Sequence, residues 1–132
     1  HAFVDASDPA NPYLNSITCI HSRYNRRAFN DGYHIHHHVK PRCHWADLPG
    51  EFEDNRAVYG AQDAVVFEGQ DFFTVWVCLM LGWWGPLVRS FVQLPGAPER
   101  SPAEVRAFLE SRLEPVPATS AAAEPAGEPA SA

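Results

Sequence analysis

Within residues 30–49, His34, His37 and His38 form an H-x-x-H-H arrangement. At about 100° per residue, positions i, i+3 and i+4 fall on one face of an α-helix, with neighbouring Cβ atoms about 5–6 Å apart. Three imidazoles so spaced can converge on a metal, and neutral imidazole suits iron, zinc or copper. His36 lies about 200° round from His34, on roughly the opposite face, and is the weakest ligand candidate of the four. The spacing therefore requires a helix through residues 34–38 and assigns its two faces different work.

Blander explanations fit less well. An expression tag is longer, terminal and flanked by linker residues, whereas this run is internal and bordered by Tyr33, Trp45, Leu48 and Pro49. A solvated histidine-rich tract would lack such flanks. His34 and His38 share the i, i+4 spacing of the zinc-protease H-E-x-x-H motif, but Ile35 stands where the catalytic glutamate would be.

Around the box, residues 5–15 carry Asp8-Pro9 and Asn11-Pro12 and read as loop. Asn15-Ser16 reads as the cap of a helix beginning at Ile17 and running through His21 towards Phe29 or beyond. Gly32 lies within or beside that pattern, and a close backbone approach near the metal explains it better than a break. The box helix ends near Val39, because Pro41 disfavours helix at Lys40. Residues 44–53 read as extended or turn, punctuated by Pro49-Gly50, and a short helix follows from Phe52 to Tyr59.

From Phe72 to Val88 runs a mostly apolar stretch of 17 residues in which Thr74 is the only polar side chain. That is at the bottom of the roughly 17–25 residues needed to cross a bilayer. Gly82, Gly85 and Pro86 interrupt it, and Trp76, Trp83 and Trp84 suit a membrane boundary, so it reads as an interfacial or core helix. Ser101-Pro102-Ala103-Glu104 is a capping-box signature, with Val105, Phe108, Leu109 and Arg112 following at helical spacing up to Pro115. Residues 117–132 are Ala, Pro, Glu, Ser, Thr and Gly without an aromatic, a composition that predicts disorder.

A net charge of −6 gives no electrostatic footprint for nucleic acid. Arg23, Arg26, Arg27, Lys40 and Arg42 nonetheless cluster around the box, and suit lipid headgroups, an acidic redox partner or plain solvent. Cys19, Cys43 and Cys78 are odd in number and include no C-x-x-C pair, which argues against a disulfide framework or a zinc ribbon and fits reduced thiols facing the cytosol. Cys43 and His21 read as structural or exposed, and His44 as a hydrogen-bonding residue rather than a ligand.

Phe29-Asn30-Asp31-Gly32-Tyr33-His34-x-x-His37-His38-x-x-Pro41, followed by His44-Trp45-x-Asp47-Leu48-Pro49, resembles the third histidine box of the membrane fatty acid desaturases. His1 to Asp5 is similar to the stretch after the last membrane helices of such enzymes, and Tyr59 to Phe73 resembles the segment downstream of the box in one desaturase-like branch. The resemblance spans residues 1–92. It implies a di-iron oxidoreductase of lipid metabolism and fatty acid biosynthesis, with iron held by histidines from three boxes. Such an enzyme uses O₂ to introduce a double bond into an acyl-lipid or acyl-CoA substrate, with electrons from a haem or iron–sulfur donor. By matching positions, His34, His37, His38 and His1 are the implied iron ligands. Asn30 and Asp31 would orient ligand imidazoles, and no acid or base is assigned. The implied place is the cytosol-facing side of a membrane, that of the endoplasmic reticulum in a eukaryote.

The other two boxes and the membrane helices are not in this sequence, which opens at His1, so the expectation is a C-terminal piece of a longer enzyme, inactive by itself. The expected architecture is mainly α: an irregular helical cytosolic region over residues 1–92, a linker and short helix over 93–116, and a disordered tail over 117–132. A lipid hydroxylase on the same histidine-box scaffold is the nearest alternative. A non-catalytic helical metal-binding or interaction module is the other.

Overall fold

The computed structural model describes residues 2–116; His1 and the 117–132 tail, with the expectations attached to them, lie outside the described residues. Six helices and two strands follow in the order β1 (Ile17–Ile20), α1 (His34–Val39), α2 (Leu48–Asp54), α3 (Arg56–Ala61), β2 (Val65–Glu68), α4 (Phe72–Leu81), α5 (Trp84–Ser90) and α6 (Pro102–Ser111). Helix is the main regular structure, as expected. A two-stranded sheet that the sequence reading did not foresee organises it.

β1 and β2 pair in parallel, with Ile17 opposite Val65 and Ile20 opposite Glu68. The helix expected from Ile17 towards Phe29 or beyond is absent: residues 17–20 are a strand and 21–33 are turns and bends. Successive side chains of a strand point to opposite faces, and here both faces are covered. Ile17, Cys19, Val65 and Phe67 pack with Phe3, Val75, Leu87 and Leu109 on the α4, α5 and α6 side. Ile20 and Val66 pack with Ile35, Leu48, Phe52 and Tyr59 on the α1, α2 and α3 side. A strand covered on both faces reads as a continuous apolar run, which is why Ile17-Thr18-Cys19-Ile20 shows no alternation. Parallel strands need a crossover between them, and α1 to α3 supply it. The chain from Phe91 runs antiparallel past β2, with Val92 N–H donating to Val66 O at 2.9 Å.

Residues 48–54 are helical, not extended. Pro49 sits in the first turn of α2, where its missing N–H costs nothing. The expected helix over 52–59 is split at Asn55 between α2 and α3. The apolar run from Phe72 also divides. Asp71 caps α4, accepting from Thr74 N–H at 2.8 Å, and Gly82 closes it in the left-handed conformation at φ 67°. No helix among the described residues is long and apolar enough to cross a membrane.

α6 begins with the capping box read from sequence: Ser101 accepts from Glu104 N–H, and Glu104 accepts from Ser101 N–H at 2.6 Å. Two arginines fasten this end of the chain. Arg100 makes a bidentate pair with Asp63 at 2.6 and 2.8 Å and stacks over Phe108. Arg112 is buried between Asp5 and the Asp63 carbonyl.

The double-sided core makes the fold sensitive to base. Burial, and then the charge of Asp71, pushes the Cys19 thiol up to about 12 from an ordinary 9.0. Burial, and then Tyr13, raises the Tyr59 phenol as well. An acid whose folded value is raised contributes stability that is complete below its unfolded value and is lost as pH rises through the folded one. Stability should therefore fall between about pH 9 and 12, by up to about 4 kcal/mol from Cys19 alone. Urea titrations across that range check this: Cys19→Ala should flatten the alkaline slope, and an unchanged slope would refute the assignment.

Candidate metal centre

The box helix is held at its start by a clamp of buried polar groups. Cys19 N–H donates to the Gly32 carbonyl at 2.7 Å. The buried Asn25 amide donates to Cys19 O at 2.9 Å and accepts from Gly32 N–H at 2.9 Å. A Cβ at Gly32 would run into Asn25 Oδ1 and the Cys19 carbonyl, so only glycine fits. Gly32 does make a close backbone approach, but its neighbours are β1 and Asn25 and not the metal expected there. One residue into α1, Ile35 N–H donates to the Thr18 hydroxyl at 3.3 Å, and the Ile35 side chain is fully buried. Asn25 and Thr18 went unremarked in the sequence, since nothing local to the box points to them.

With Ile35 and His36 directed inward, His34, His37 and His38 lie on the outer side of the helix. His34 Nε2 and His38 Nε2 are 3.0 Å apart. Without metal, the contact is an N–H···N hydrogen bond, which needs one ring protonated at Nε2 and the other not. The His37 ring sits 6.3 Å from that of His34 and 6.2 Å from that of His38, centre to centre. All three thus share one side of the helix, and His34 and His38 form a close pair from which His37 stands apart.

Burial favours the neutral form of His34, the less exposed member of the pair. Burial holds the His34 pKa below the ordinary 6.5, with His38 and His37 adding to the effect and Asp31 opposing it. Neutral imidazole is the form that binds metal. His36 is turned away as expected. It is almost completely buried, with Nε2 3.4 Å from Glu51 Oε2, and Glu51 also pairs with Lys40 at 2.8 Å. Burial lowers the His36 pKa, and Glu51 offsets part of that.

The other candidates separate clearly. Asn30 donates its amide to the Trp45 carbonyl at 3.0 Å, which joins the two halves of the motif. Asp31 acts on His34 through its charge. His44 accepts from Ala46 N–H through Nδ1 at 3.2 Å, which fits the hydrogen-bonding role expected of it. Cys43 is a free thiol near the His44 carbonyl, and the exposed His21 pairs with Glu68 at 2.9 Å. Phe29 and Asn30 are both left-handed, at φ 50° and 57°, and the Phe29 ring packs edge-on against Trp45. This tight bend walls a cleft of about 780 Å³ that His37, Arg42, Cys43 and His44 also line.

Among the described residues, no group of three or more His, Cys, Asp or Glu side chains is gathered so as to hold a metal ion. The donor chemistry of the pair fits iron or zinc, but a metal held there needs donors beyond His34 and His38. His1, the fourth implied ligand, lies outside the described residues.

Asn25→Ala would leave the Gly32 N–H and the Cys19 carbonyl without their partner. The expected loss is about 3 kcal/mol, measured as a shift of the urea midpoint. A shift below about 0.5 kcal/mol would mean the clamp does not position the box. Compared with protein-family models, curated proteins and solved structures, the chain matches none.

Proposed function

We propose that this chain is the metal-bearing C-terminal region of a membrane di-iron fatty acid desaturase, with His34, His37 and His38 as ligands and His1 as a fourth. The observation that carries this reading is the 3.0 Å approach of His34 Nε2 to His38 Nε2 on a helix whose other face is anchored in the core. Its support from sequence is the desaturase-like box. The Asn30–Trp45 hydrogen bond brings the two halves of that motif together in space.

Iron, when bound, supplies O₂ activation and the removal of hydrogen from an unactivated acyl C–H bond, chemistry that side chains cannot perform. The chain's own part is to present neutral imidazoles at fixed separation. Thr18, Asn25 and Ile35 fix the helix, its turn directs His36 into the core and away from the ligand set, and burial favours the neutral form of His34. The remaining donors, the acyl channel and the electron-donor contact belong, in this reading, to a longer polypeptide. A lipid hydroxylase would use the same ligands and is distinguished by its product.

The test is to purify the 132-residue chain, assay iron, and supply acyl substrate, O₂ and an electron donor. The expected result is weak iron binding and no new double bond, because one box plus His1 is too few donors for two irons. A polypeptide that continues upstream with further histidine boxes should bind two irons and form the olefin. Tight binding of two irons by the 132 residues alone, or an unsaturated product from them, would overturn the reading.

A further inference from the structure

We propose that the outer face of α4, with the adjoining 23–27 loop, is a docking surface for an anionic lipid bilayer. The surface contains none of the histidines, so it stands whether or not His34 and His38 bind iron. Phe73, Trp76 and Met80 follow at i, i+3 and i+7 on one side of α4, while Val75 and Cys78 on the other side are buried. The outer residues are 70, 55 and 63 % exposed, and Trp83, just past the helix, is 57 % exposed. Phe73 and Trp76 stack with ring centres 6.0 Å apart. Exposed apolar groups clustered in this way mark an interaction surface.

Charge at the edge of the patch selects the partner. A depression lined by Arg23, Tyr24, Arg26, Arg27 and Asp71 adjoins a second lined by Tyr24, Asp71, Phe72 and Phe73. Tyr24 and Asp71 are common to both, so the arginine loop abuts the start of the apolar face. The three arginines are exposed, and among the described residues none of them forms an ion pair. The one carboxylate there, Asp71, already caps α4. In a chain of net charge −6, such a local cationic cluster beside tryptophans is complementary to acidic headgroups over acyl chains. At 10 residues, α4 is about 15 Å long and too short to cross, so it would lie in the plane of the interface.

The experiment is flotation of the 132-residue chain with vesicles of phosphatidylcholine alone and of phosphatidylcholine mixed equally with phosphatidylserine, at low and high salt. The chain should float with the mixed vesicles, with blue-shifted tryptophan emission, and should be released by salt. Changing Arg23, Arg26 and Arg27 together to Gln should lower partition on the order of a hundredfold. Phe73→Ser with Trp76→Ser should lose both flotation and the emission shift. All five positions are exposed, and the arginine variant removes no apolar packing, so it remains decisive if the serine variant fails to fold. Absence of flotation, equal partition onto neutral vesicles, or a patch that instead mediates self-association of the chain would each overturn the proposal.

Discussion

Replacing His38 with Ala in a polypeptide that desaturates is expected to remove bound iron and lower turnover by more than about a hundredfold. Changes that merely disturb a metal ligand's hydrogen-bonding partners already cost about 10- to 100-fold. His34→Ala should match it, since the two nitrogens form one pair. The informative contrast is His36→Leu. Its ring is buried and directed at Glu51, so loss of stability with iron content preserved is expected there. Iron analysis beside product assay separates the cases. If His38→Ala retained full iron and turnover while His36→Leu lost both, the face assignment would be reversed.

The second large effect lies beneath the box. Phe52 is fully buried and meets Tyr33 and Tyr59 edge-on at 5.8 and 4.9 Å, with Arg56 over its ring. Phe52→Ala should cost about 3–5 kcal/mol, a large share of the roughly 5–15 kcal/mol that keeps an ordinary domain folded. Because Tyr33 precedes α1 directly, the cavity should also loosen the histidine helix. Urea unfolding checks the first expectation, and faster amide exchange along residues 34–39 checks the second. A loss under 1 kcal/mol would mean that this core is not what holds the box.

What could be read from the residues divides by range. The box helix, its end at Val39, the inward turn of His36, the break of the apolar run near Gly82 and the capping box at Ser101 are set by spacing within a turn or two, and all were legible. β1 was not. Ile17-Thr18-Cys19-Ile20 is a short apolar run that fits strand or buried helix equally, and its partner, Val65–Glu68, lies more than forty residues away. Pro49-Gly50 was read as a turn, although proline also suits a first helical turn. At the site, the histidines were visible but their supports were not. Thr18 and Glu51 reach the box from β1 and from α2, and Asn25 through the turns that precede the box, none of which a helical or strand period reports.

In the proposed function His34 and His38 would be the close pair of ligands for a metal. The direct measurement is zinc titration of the ¹⁵N-labelled chain at millimolar metal, followed by long-range proton–nitrogen correlation of each imidazole. The account predicts that His34 and His38 move together to Nε2-bound, Nδ1-protonated rings, while His36 and His44 keep their metal-free signals. Zinc binding that leaves the His34 and His38 nitrogens unchanged, or that engages His36, would contradict it.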